Sequence, residues 1–171
     1  MRKIILVFLL FVSFASFAQK NTFVVLNDFM IELPGKWTHT KDYNGFQFGF
    51  ENKKIGGFFT VSIKEAKKIE FYKPEFSNYS EFELLSEFFK WDFDYWKENS
   101  KNEVFELNKD EANKIIIWKL KFQTEESYNY KLNGIKNSYI ISIAYVNHKM
   151  DEQQKIDLLK SIYSKIKYTK N

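Results

Sequence analysis

From Phe29 onward the chain keeps returning to a two-residue period. Phe29, Ile31 and Leu33 alternate with Met30 and Glu32 until Pro34-Gly35 ends the run; Phe46, Phe48 and Phe50 alternate with Gln47, Gly49 and Glu51. Phe59, Val61 and Ile63 then alternate with Thr60, Ser62 and Lys64. Successive side chains of a strand point to opposite faces, so each run predicts a strand with one buried face. The turn formers from Asn52 to Gly57 make the second and third antiparallel neighbours. Further on, Val104 to Leu107 reads as a short strand and Asn108 to Asn113 as a turn. Ile116, Trp118, Leu120 and Phe122 follow as a long strand alternating with Ile117, Lys119 and Lys121. Tyr128, Tyr130 and Leu132 run into an Asn133-Gly134 turn, and Tyr139, Ile141, Ile143 and Tyr145 run out of it, which predicts a hairpin with a longer loop.

Two stretches have the helical period instead. Ser80 with Glu83 is a capping-box pair, and Phe82, Leu85, Phe89, Phe93 and Trp96 then recur every three or four residues beside a stripe of Leu84, Phe88, Trp91 and Tyr95. A helix is expected over 80–98. Asp151 with Gln154 opens another, and Ile156, Leu159, Tyr163 and Ile166 extend its apolar stripe over 151–166. Lys67 to Tyr79, with Pro74 and scattered charges, reads as a surface loop. The order implies an α+β protein, a central antiparallel sheet of about six or seven strands covered by helices.

The start of the chain speaks to compartment. Arg2 and Lys3 lead into an apolar run, Ile4 to Ala18, that closes with small residues at Ser16 and Ala18 before Gln19. This is the pattern of a secretory signal peptide over residues 1–18, shorter than the roughly 20 residues a spanning helix needs. Residues 19–171 then form one domain, exported to the periplasm or medium and not membrane-spanning. The chain has no cysteine, so the exported domain is held by packing rather than disulfides. No lipid anchor is expected at the mature N-terminus, where Gln19 stands.

The 26 basic and 22 acidic residues are interleaved rather than gathered into the basic stripe of a nucleic-acid surface. The late lysines, Lys155, Lys160, Lys165, Lys167 and Lys170, read as a solvated helix face near a negative helix end. The 19 Phe, 10 Tyr and 4 Trp supply large buried areas that stand in for the missing disulfides, or else an aromatic surface for a protein or sugar partner.

The run Phe29-Met30-Ile31-Glu32-Leu33-Pro34-Gly35-Lys36-Trp37 resembles the opening of PsbP-like domains, an aromatic-x-aliphatic-x-Leu-Pro-x-x-Trp pattern. The following order of elements, with its Tyr-rich hairpin and terminal helix, resembles that family over nearly all of residues 19–171. The resemblance implies an α/β/α sandwich and an accessory or binding role without catalysis. It carries over no functional residue, because nothing outside that segment matches a functional motif. Read mechanically, Pro34 stops the strand, Gly35 permits the turn, and Trp37 folds back as a core plug.

Catalytic constellations are weak. His39 and His148 stand apart with no cysteine to join them, short of the converging ligands a zinc site needs. There is no Gly-x-Ser-x-Gly elbow, and Gly56-Gly57 reads as a turn rather than a phosphate loop. Adjacent Glu125 and Glu126 are expected to point into solvent on opposite sides. Asp92 differs: at about 100° per residue it falls roughly 20° from Leu85, inside the apolar arc, where a carboxylate must be paired, hydrogen-bonded or set in an open groove. Trp91, Asp92 and Tyr95 together form the candidate protein-binding patch, since aromatics dominate interface hot spots. The expected function is that of an exported, non-enzymatic binding or accessory protein with an envelope or exported protein as partner, no cofactor, no metal and no nucleic acid. The alternative is an immunity or inhibitor protein that neutralises a toxin or hydrolase.

Overall fold

A computed structural model describes residues 21–26, 28–40, 47–99, 102–123 and 126–170. The expected signal peptide over 1–18 lies outside the described residues, as do Phe46 and Glu125. Ten strands are described: β1 (Thr22–Leu26), β2 (Phe29–Leu33), β3 (Thr38–His39), β4 (Gln47–Asn52), β5 (Gly57–Glu65), β6 (Glu103–Asp110), β7 (Ile115–Lys121), β8 (Asn129–Lys136), β9 (Tyr139–Asn147) and β10 (Ile166–Tyr168). Two α-helices join them, α1 (Glu81–Asn99) after β5 and α2 (Glu152–Ser164) after β9.

Seven strands form one antiparallel sheet in the order β3-β4-β5-β9-β8-β7-β6, and β1-β2-β10 form a second. The fold is therefore α+β with an antiparallel centre, as the periodicity requires. One face of the large sheet, with Phe59, Val61, Ile117, Leu132 and Ile143, packs against α2 and the inner face of the small sheet. The other face, with Ile116, Trp118, Leu120 and Ile140, packs beneath Leu84, Leu85, Phe88 and Phe89 of α1. Because β7 is buried on both sides, Ile115, Ile116, Ile117 and Trp118 are all buried, which explains its run of apolar residues where an edge would alternate.

Both helix starts are capped as their sequences require. Ser80 N–H donates to Glu83 Oε2 at 2.7 Å and Glu83 N–H to Ser80 Oγ at 3.3 Å, while Gln154 N–H donates to Asp151 Oδ1 at 2.8 Å and Asp151 N–H to Gln154 Oε1 at 3.1 Å. Gly35 takes a φ of 91°, a left-handed conformation open to glycine, and the chain doubles back. Trp37 lands in the core at 5% exposure, its indole N–H donating to Pro34 O at 3.0 Å and its ring set edge-on to Phe59 at 4.7 Å.

Several local expectations are corrected. The hairpin between β8 and β9 turns at Asn137-Ser138, both at positive φ (50° and 62°), while Asn133 and Gly134 lie inside β8 opposite Ser142 and Ile141. Positive φ at both central residues is what a tight type I′ hairpin demands. The segment 108–113 is not all turn, because β6 continues to Asp110 across a register shift at Glu106/Asn108. The stretch 67–79 is more than a surface loop: it includes a 3₁₀ turn, Pro74–Asn78, and buries Phe71 and Phe76 under α1. Helix α2 ends at Ser164, and Ile166 pairs with Ile31 as the start of β10. Lys155 is buried, its ammonium 4.7 Å from the Tyr130 ring, so it does not belong to a solvated lysine face.

Candidate functional site

The outward edge of α1 carries two large aromatic side chains one turn apart. Trp91 is 40% exposed and Tyr95 52%. Residues four apart on a helix are neighbours, so the two rings share one surface. Trp91 leans on the packed layer below, 6.3 Å from Phe71 and 5.9 Å from Phe88 between ring centroids. In front of it lies a small cleft of about 180 Å³ bounded by Phe71, Lys73, Phe76, Glu87, Lys90 and Asp94 as well as Trp91 itself. Tyr95 stands edge-on to Trp96 at 5.5 Å.

Asp92 points the other way. Its Oδ1 accepts the Trp96 indole N–H at 2.9 Å and its Oδ2 lies 3.8 Å from Lys131 Nζ. Lys131 rises from the middle of β8 into the layer between sheet and helix, its ammonium 4.5 Å from the Trp96 ring and 4.4 Å from the Trp118 ring. Burial holds this ammonium below the ordinary lysine range against the opposing pull of Asp92. A cation between two indole faces is attracted by both ring quadrupoles, and the nearby carboxylate supplies the charge that a desolvated ammonium needs. Asp92 therefore fixes the inner flank of α1, while Trp91 and Tyr95 form its outer surface.

Two strand residues escape a reading by pattern. Lys131 and Asn133 alternate with Tyr130 and Leu132, which on a half-exposed strand marks a solvent face, yet α1 covers them. Asn133 is fully buried, and neither atom of its amide has a hydrogen-bond partner; the Trp118 indole nitrogen is buried and unpartnered as well.

His39 lies on β3 with its ring 5.4 Å from Phe50, and His148 is exposed just after β9. Among the described residues no three His, Cys, Asp or Glu side chains converge as metal ligands would, and no helix is long and apolar enough to cross a membrane.

No protein-family model matches the chain, and no curated protein matches it in sequence. Solved structures do match. The solution structure of cyanobacterial PsbP (CyanoP) from Synechocystis sp. PCC 6803 aligns over 90% of this chain and 95% of its own with a TM-score of 0.58, at 10% sequence identity. The chain thus has a PsbP-like fold, and at that identity the fold is what the two share.

Proposed function

We propose that this protein is a non-enzymatic binding or accessory protein of the cell envelope, exported by the leader at 1–18, that works through protein–protein contacts on the outer edge of α1. The observation that carries the reading is the side-by-side exposure of Trp91 and Tyr95 on a helix whose other face is fully engaged with the sheet. A helix edge that served only to cap a layer would place polar groups there, whereas partner surfaces favour large aromatics flanked by charges. Glu87, Lys90 and Asp94 around Trp91 supply such a rim. The PsbP-like fold supports the reading by analogy, since the resemblance of the Phe29–Trp37 run to PsbP-like domains implies an accessory or binding role.

The experiment is capture of envelope proteins on the immobilised domain, wild type beside Trp91→Ala/Tyr95→Ala, with thermal melts of both. The double variant is expected to bind the captured partner at least about 30-fold more weakly, the scale of an interface hot spot, and to melt as a folded protein. Tyr95→Lys, a change at the more exposed position, gives the same test with less disturbance of packing. Undiminished capture by both variants overturns the reading. N-terminal sequencing of protein recovered from the native envelope is expected to begin at Gln19, and an intact Met1 refutes the export step.

A further inference from the structure

A second surface lies on the opposite side of the large sheet from α1. Strand β1 forms one edge of the small sheet and, among the described residues, pairs with β2 alone. Its residues, Thr22 to Leu26, include no charge and no proline, and its five pairings with β2 run without a bulge. Those are the devices by which exposed edges are normally kept from pairing. The register sends Val24 inward opposite Ile31 and sets Phe23 and Val25 opposite Glu32 and Met30 on the outer face, where they are 62% and 70% exposed. Beside this edge runs a groove of about 500 Å³ whose walls include Phe23, Val25, Leu26, Trp37, Phe48 and Phe50. Its far wall is β3 and β4, the outer strands of the seven-stranded sheet, so the groove runs between the edges of two sheets.

We propose that this groove receives an extended segment of a partner protein, which adds to the outer edge of β1 as a further strand. The occupant must meet two demands at once. Among the described residues no strand pairs with the outer backbone edge of β1, whose N–H and C=O groups call for a hydrogen-bonding backbone, and the floor made by Trp37, Phe48 and Phe50 takes apolar side chains. A strand with apolar residues at alternate positions does both, as in other cases of strand addition; an acyl chain fills the floor and leaves the edge unpaired. A groove walled on both sides suits a single strand better than the two-stranded edge that a second copy of this chain would bring. The proposal stands apart from the α1 surface, which lies across the large sheet, and either can fail alone.

The probe is a synthetic peptide with the sequence of residues 22–26 flanked by lysines, titrated into the purified domain. Two further peptides have the same side chains, each N-methylated on the alternate amides that face one backbone edge. The unmodified peptide is expected to bind, one methylated form to bind at least tenfold more weakly, and the other to bind as the parent does. Val25→Lys in the protein is expected to weaken binding at least tenfold with no change in melting temperature. Equal affinity for all three peptides would show a groove filled without strand pairing and would overturn the proposal. So would absence of binding at millimolar peptide, or a domain that sediments as a dimer and is returned to monomer by Val25→Lys.

Discussion

Lys131 stands directly across the β7–β8 ladder from Trp118, with its ammonium 4.4 Å from the centre of the indole ring. On the other side the Trp96 ring, held by its N–H bond to Asp92, lies at 4.5 Å. One cation thus ties the last turns of α1 to the centre of the sheet, and Asp92 is the group that makes its burial tolerable.

That dependence sets the first prediction. Removing one partner of a buried pair leaves an uncompensated charge, which is costly, whereas removing both is close to neutral. Asp92→Ala is expected to cost about 1–3 kcal/mol, reduced from the fully buried case because the pair is partly open to solvent. Adding Lys131→Met is expected to recover most of the loss. Urea titrations of the two variants beside the wild type measure it, and an Asp92→Ala change within about 0.5 kcal/mol, the range of an ordinary surface substitution, contradicts it.

Asn133 sits two residues along the same strand face, and its amide has no partner for either nitrogen or oxygen. A buried amide without hydrogen bonds costs about 1–3 kcal/mol relative to an apolar group of similar shape. Asn133→Leu is expected to raise the urea midpoint by the equivalent of about 1 kcal/mol or more. A clear loss of stability would mean that the amide performs a task worth its burial.

Strand β5 was readable because Phe59, Val61 and Ile63 face the core while Thr60, Ser62 and Lys64 alternate with them, and β2 and β9 because large apolar side chains recur at every second position of one face. Strand β1 was not, because Phe23 and Val25 are apolar and face outward, which erases the alternation. Strand β10 was hidden for a different reason: Ile166 falls on the apolar spacing of α2 and reads as one more helical turn. Asn133-Gly134 has the composition of a turn but lies in a strand, since burial between β7 and β9 outweighs local preference. At the candidate site the helical angle of Asp92 indicated that it turns inward, whereas its partner Lys131 looks like any solvent-facing strand lysine until the helix above it is placed.

Gly134 is held in β8 by what lies over it. A Cβ there would collide with the ring of Tyr163 from α2, whose hydroxyl donates to Ile135 O at 2.9 Å in the buried layer. Gly134→Ala is expected to destabilise by about 1–3 kcal/mol, the range of overpacking substitutions. In a Tyr163→Ala background the same substitution should add little, because the obstructing ring is gone; a double-mutant cycle reads the coupling directly. Additive losses would show that the glycine is needed for its backbone rather than for the space it leaves.

The last prediction concerns alkaline pH. Burial, reinforced by the hydrogen bond to Glu152 and its charge, pushes the Tyr130 phenol up to about 12; its hydroxyl donates to Glu152 Oε2 at 2.8 Å. An unfolded tyrosine ionises near pH 10, so between about 10 and 12 the folded chain keeps a proton that the unfolded chain has released. With more protons bound in the folded state, stability falls as pH rises through that window. Burial shifts Tyr163 the same way. Lys131, Lys136 and Lys155 act in the opposite sense, since burial lowers their folded values and relieves the folded state as pH climbs toward 10.5. The contribution of Tyr130 is therefore read as a difference. Tyr130→Phe is expected to lose about 1 kcal/mol at pH 8, where its hydrogen bond is intact, and to gain on the wild type by roughly 1–2 kcal/mol as pH goes from 10 to 12, after allowance for solvent at the Glu152 end. Urea titrations of both proteins from pH 8 to 12 test this, and parallel curves across the window would show that the phenol ionises alike in the folded and unfolded chains.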